Sequence, residues 1–214
     1  FHLSGGNPFY ALQIARGGVW DVDPANVAGG PIPPPVARSI DAEVQRLSSP
    51  ARAFIEAAAV VGDPFELDLA TAASGDTEVA ALGHIDELVA SQLIRQTSSP
   101  RRFAFRHPLV RNAIYHAAPA GARLTNHRRI AEALRRRGAS PAQLAVHVEQ
   151  SAAHGDAIAI ATLRQAGSDT SEQAPAIAVR WYAAALGLMS GATASGERHE
   201  LLTSMAASQA VLGD

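Results

Sequence analysis

Two short runs carry residue types that could do chemistry, and both sit where a helix is expected to start. In Ser4-Gly5-Gly6-Asn7-Pro8 the glycines permit a tight turn or the close approach of a ligand to the backbone. Asn7 can accept hydrogen bonds from exposed helix amides, and Pro8 suits the first helical position. In Arg106-His107-Pro108-Leu109-Val110-Arg111 an imidazole precedes the proline, and two guanidinium groups lie close in sequence. A helix N-terminus has partial positive charge and free amides, so an anion is the guest such a run would suit. Each run also has a purely architectural reading. Asn7 and His107 can act as caps, with His107 packing at the base of the strand before it.

Other constellations are weaker. His147 and His154 stand seven apart on one expected helix, whereas neighbouring metal ligands on a helix want a spacing of three or four. Glu56, Glu66 and Asp68 have no His, Ser or Arg constellation beside them, and Ser4 lacks the flanking pattern of a nucleophile elbow. Arg128, Arg129 and Arg135 to Arg137 have no aromatic residues interleaved. They read as a solvated helix face whose last arginines favour the macrodipole ahead of Gly138. No catalytic site and no metal site are expected.

Composition narrows the classes further. With 214 residues, 47% of them hydrophobic and 18% charged, a packed core is expected rather than disorder. The apolar share is mostly Ala, Leu, Ile and Val, which favours closely packed helices over sheets. There is no Cys, so disulfides, thiolate metal sites and Cys nucleophiles are excluded. All 18 basic residues are Arg, which excludes a lysine-bearing phosphate loop and a Schiff-base lysine within this chain. A net charge of -2 supplies no global basic field for nucleic acid. No apolar run is long enough to span a bilayer, and the expectation is a chain in the cytoplasm without membrane contact.

The elements that must position these residues are mostly helical. A short helix is predicted from Pro8 to about Arg16, followed by a Pro/Gly-rich connection over 19–35 in which Trp20 anchors the loop. Val36, Ile40, Val44 and Leu47 stand at helical spacing. A further helix is predicted with Ser49 as cap, Pro50 in its first turn and Gly62 as terminator. PFELDLATAASG reads as a short helix ending at Gly75. In the helix predicted over 77–91, Val79, Leu82, Ile85 and Val89 are assigned to one face. Two short runs around the Ser-Ser-Pro-Arg segment at 98–101 read as a β-hairpin. Helices followed by a hairpin is the order of a winged helix. After His107 helices are predicted over 108–117, 119–137, 141–154, 156–169, 175–189 and 195–212, a pattern that suggests a tetratricopeptide-like array. Ala178, Tyr182 and Ala185 have the small-aromatic-small spacing of stacked helix pairs.

Three stretches taken together resemble one family: SGGNPFYALQIAR, FAFRHPLVRNAIYHA, and the tail from AVHVEQSAAHGDAIAIATLRQAG to APAIAVRWYAAAL. They look like the large ATP-binding LuxR-type transcriptional regulators, within the wider group of signal-transduction ATPases with numerous domains. The resemblance implies a mainly α chain with the start of an ATPase lid and linker at 1–34, a winged-helix domain at 35–118 and a helical repeat-like array at 119–214. It implies an ATPase core before residue 1 and a C-terminal helix-turn-helix beyond the array, so this chain is expected to be an internal fragment. ATP or ADP is the implied cofactor of the intact protein, with none expected in the fragment. Gly6, Asn7 and Pro8 match the lid motif that packs against the nucleotide, and His107, supported by Arg111, matches the winged-helix histidine that senses its phosphates. Where the wider group usually has Met-His-Asp, this chain has Arg106-His107-Pro108.

The expected function is therefore regulatory. The chain would couple nucleotide state to an inducer or a partner protein, with DNA contacted only through the missing helix-turn-helix. The alternative is a winged helix that binds DNA itself, with the array serving dimerisation or an effector. Such a domain needs basic residues on the helix before the hairpin. The predicted helix has Glu78, Asp86 and Glu87 and no Arg, leaving the wing arginines Arg95, Arg101 and Arg102 as the only support.

Overall fold

The structure is a computed structural model that describes residues 32–189 and 195–213. The predicted helix at 8–16, the Trp20 loop and the lid residues Gly6, Asn7 and Pro8 lie outside the described residues. Over the described residues the chain is mainly helical, as expected, with one small sheet. It divides into two compact units, 1–126 and 127–214.

In the first unit α1 (Pro34–Val44) and α2 (Ser49–Val61) precede β1 (Phe65–Glu66), α3 (Leu67–Ser74) and α4 (Glu78–Ala90). The hairpin β2 (Ile94–Gln96) and β3 (Arg102–Phe105) follows, then α5 (Pro108–Ala117). The three strands are antiparallel in the order β1-β3-β2, with Phe65 opposite Phe103 and Ile94 opposite Phe105. Helix, strand, two helices and a hairpin, with the last strand central, is a winged-helix connectivity; the sequence anticipated its helices and its hairpin but not the first strand.

Local chemistry explains most boundaries. Val36, Ile40, Val44 and Leu47 are all buried, as their spacing predicts. The cap of α2 is Ser48 rather than Ser49, its hydroxyl accepting from the Ala51 amide at 3.3 Å. Gly62, at φ 140°, ends that helix. The segment read as a wholly helical PFELDLATAASG begins as strand β1. Phe65 pairs with β3 and is fully buried between the rings of Phe103, 6.0 Å away, and Phe105, 5.6 Å away. Pairing with a strand more than thirty residues downstream is invisible to local periodicity.

The largest correction concerns α4. Its buried residues are Ala81, Ile85 and Leu88, while Val79, Leu82 and Val89 are exposed, so of the face assigned from sequence only Ile85 faces the core. Apolar residues recur on nearly every side of this helix, and spacing alone could not select the buried face.

α6 (Ala120–Arg136) contains the boundary between the units. In the second unit come α7 (Pro141–Glu149), α8 (Ala157–Thr170), α9 (Pro175–Leu188) and α10 (Ser195–Leu212), with α7 packed on α8, α8 on α9 and α9 on α10. α7 stops at Glu149, short of the predicted end at 154. Ser140 and Gln143 form a capping box at its start, and Asp156 caps α8 through the Ile158 and Ala159 amides. Ala178, Tyr182 and Ala185 are buried as expected. Gly167 lets α8 and α9 approach, because a Cβ there would stand 2.6 Å from the Tyr182 ring. The Tyr182 hydroxyl bonds Ser204 on α10, and burial pushes the phenol pKa up. Among the described residues no helix is long and apolar enough to cross a membrane.

Candidate functional site

The residues with chemical potential converge where the hairpin meets α5. Backbone pairing sets the start of that helix: the Arg106 amide donates to the Leu93 carbonyl at 2.9 Å, closing the hairpin, and His107 follows in extended conformation. Its side chain is 6% exposed, and Nδ1 accepts from the Leu109 amide at 3.1 Å. With Nδ1 accepting, a neutral ring holds its proton on Nε2. Pro108 has no amide to offer, and the Val110 amide donates to the His107 carbonyl at 2.9 Å. The first amides of α5 are thus satisfied within the chain. An incoming anion would have to displace the imidazole from Leu109.

Asp63 is the carboxylate of this region. One oxygen accepts from the Phe105 amide at 3.1 Å. Burial raises its pKa, opposed first by that bond and then by the positive fields of Arg111 and Arg95. Arg111 donates from Nε to the Ala59 carbonyl at 2.9 Å and lies 5.9 Å from the Tyr115 ring centre. Burial draws its pKa down, while Asp63 and Tyr115 push it up. Arg111 therefore ties α5 to the end of α2 and offsets the Asp63 charge. Arg106 is held by a bidentate pair with Glu43 on α1, at 2.6 and 3.0 Å. An open groove of about 570 Å³ runs past Asp63, Arg95, Arg106 and Pro108. Its charges are of both signs and largely matched.

His107 and Arg111, singled out from sequence, are thus brought into one neighbourhood with Asp63. Sequence reading missed Asp63, which is forty-two residues from its bonding partner Phe105. The Asp-Pro step after a helix-ending glycine was the available signal.

The wing and the helix before it form a second region. Arg101, at φ 59°, binds Asp68 on α3 and donates to Glu78 on α4 at 2.9 Å. One of the three wing arginines is therefore neutralised by acidic side chains. Glu87 of α4 accepts from both the amide and the hydroxyl of Ser48, each at 2.7 Å, anchoring α4 to the start of α2. Those bonds, the amide first, hold the Glu87 carboxyl below its ordinary value.

In the second unit the histidine pairing differs from the one weighed in sequence. His147 meets His127, not His154, with Nδ1 atoms 3.0 Å apart and both rings buried. One proton between two Nδ1 atoms makes this a hydrogen bond. Among the described residues no group of three or more His, Cys, Asp or Glu side chains is placed to hold a metal ion. Arg128 and Arg135 to Arg137 are exposed, in keeping with a solvated helix face.

No protein-family model, curated protein or solved structure matches this chain.

Proposed function

We propose that this chain is the regulatory, interaction-making segment of an ATP-dependent transcriptional regulator. Its winged-helix unit contacts protein rather than DNA, and its helical unit receives an inducer or a regulatory partner. One observation carries the reading. The helix at the DNA-reading position, α4, presents acidic and apolar residues and no arginine, and the neighbouring wing arginine Arg101 is already bound by Asp68 and Glu78. Phosphate contacts supply most of the affinity of a DNA-binding domain, and this surface repels them.

The nucleotide part of the reading rests on the resemblance. ATP or ADP would be held by a phosphate-loop core on the same polypeptide, completed by Gly6, Asn7 and Pro8, with His107 and Arg111 answering the phosphates and no catalysis by this segment. The location that follows is the cytoplasm, and a helix-turn-helix elsewhere on the polypeptide would read DNA. A switch of this kind needs domain arrangements that nucleotide and inducer bind with different affinity. In this reading the imidazole leaves its cap when nucleotide is present.

The test is fluorescence anisotropy with labelled duplex DNA at physiological salt. The expected result is binding no tighter than the non-specific range of roughly 10⁻⁴ to 10⁻⁶ M. Nanomolar, sequence-selective binding lost on Arg95→Ala and Arg102→Ala would overturn the reading in favour of a DNA-binding winged helix. For the nucleotide part, calorimetry of ATP and ADP on the polypeptide including its core should show weaker binding with His107→Ala. Unchanged affinity would leave His107 as a cap alone.

A further inference from the structure

In the first unit α1, α2 and α5 enclose a cleft of about 280 Å³. Ile40 and Val44 of α1 and Ala113 and Ile114 of α5, all buried, supply apolar walls. Arg52 and Glu56 of α2 line the same cleft one helical turn apart, and Arg38 and Asp41 of α1 line it too. Apolar walls with a few polar groups are the usual make-up of a small-molecule site.

Arg52 and Glu56 are both left incomplete. Arg52 donates from Nη2 to the carbonyls of Gln45 and Leu47, at 3.2 and 3.4 Å, just past the end of α1. Its Nε is buried and has no acceptor. Glu56 is half-buried and has no hydrogen-bond or ion-pair partner among the described residues. Burial raises its pKa, opposed by the field of Arg52. The two side chains do not pair with each other. The guanidinium is held at the end of α1, and Arg before Glu at i, i+4 is the less favourable order. Polar groups removed from water are satisfied in the great majority of cases. A donor and an acceptor left unmatched in one cleft therefore point to a guest that completes both.

The charges select that guest. Arg38 and Arg52 balance Asp41 and Glu56, so the lining has no net charge. An anion between Arg52 and Glu56 would face the carboxylate, and a cation would face the guanidinium. A neutral group with a carbonyl beside an N–H answers both. Its oxygen accepts from Arg52 and its nitrogen donates to Glu56.

We propose that the cleft between α1, α2 and α5 is a binding site for a small neutral molecule with an aliphatic body and a carboxamide. The body lies against Ile40, Val44, Ala113 and Ile114, and the amide lies between Arg52 and Glu56. None of these residues belongs to α4 or to the nucleotide motifs, so the proposal stands or falls apart from the function proposed above.

The experiment titrates the whole chain and follows backbone amide shifts by NMR. The probes share one shape: cyclohexanecarboxamide is neutral, cyclohexanecarboxylate anionic and cyclohexanecarboxamidine cationic. Saturable shifts are expected at Ala37, Val44 and Ala113, with the carboxamide bound about tenfold more tightly than either ion. Glu56→Gln removes the repulsion of the anion and should cut the preference over the carboxylate to about threefold or less. Ala37→Leu fills the cleft from a half-exposed wall position and should abolish binding of every probe, with circular dichroism and melting temperature unchanged. If that variant melts lower, Ala117→Leu at the exposed rim replaces it as the blocking substitution. Absence of saturable binding, equal affinity for the three probes, a preference untouched by Glu56→Gln, or binding that survives the blocking substitution overturns the proposal.

Discussion

The side chains that fasten the winged-helix unit reach far along the sequence, whereas those of the helical unit mostly meet the next helix. In the first unit Ser48 is bonded to Glu87, Arg101 to Asp68 and Glu78, Arg106 to Glu43, and Phe105 to Asp63. In the second, α7 to α10 pack in succession through Ala145, Leu163, Ala166, Ala178, Tyr182 and Ala185. Polar ties there also join neighbours or near neighbours, as Arg180 does in its bidentate pair with Glu149. The first unit is held by polar cross-links between residues distant in sequence. The second has a stack in which each helix depends on the ones beside it, the behaviour of a repeat array.

The difference can be broken most forcefully in the cores. Phe54 is fully buried in the first unit, and Phe54→Ala should cost that unit about 3–5 kcal/mol. Segment-resolved hydrogen exchange should lose protection across residues 36–114 and keep it across 144–188. Equal loss in both segments would show that the units do not respond separately.

A smaller effect contrasts two helical glycines. Gly167→Ala drives a methyl group into the Tyr182 ring and should destabilise by about 1–3 kcal/mol, despite the better helix propensity of alanine. Gly83→Ala meets open space and should stabilise the isolated chain by up to about 1 kcal/mol. Urea midpoints measure both. A stabilising Gly167→Ala would mean that the close approach of α8 and α9 is not what holds the array.

The smallest effect is a pH dependence confined to the first unit. The folded-state pKa of Glu87 is lowered by the Ser48 amide and hydroxyl. The resulting stability is present above the unfolded glutamate pKa and is lost as pH falls through the folded value. Between about pH 5 and pH 3 the native chain should therefore lose more stability than Glu87→Gln, in parallel urea titrations. Identical slopes would remove this tie from the account of how α4 is held.

Much of the architecture was legible because the signals are local. The buried face of α1 follows from a clean four-residue spacing, Gly62 and Gly75 end their helices, and the hairpin announces itself by its turn. The site was legible in part. His107 and Arg111 were named from their place before and within a helix, but their partners Asp63 and Ala59 come from another part of the chain. For α4 the sequence misled, since a helix with apolar residues on most sides offers several equivalent faces and only its neighbours choose among them. The same ambiguity left Val79, Leu82 and Val89 exposed.

By itself the sequence determined the helical class, the order of helices and hairpin, the exclusion of cysteine and lysine chemistry, and the capping signal that starts α5. Those properties depend on residue type and short spacing. Tertiary structure alone decided that β1 exists, that Glu87 anchors α2, that Arg101 is neutralised, that His127 and not His154 meets His147, and which face of α4 remains in solvent. Each depends on groups distant in sequence being brought within hydrogen-bond or packing distance, and short-range periodicity contains no information about that.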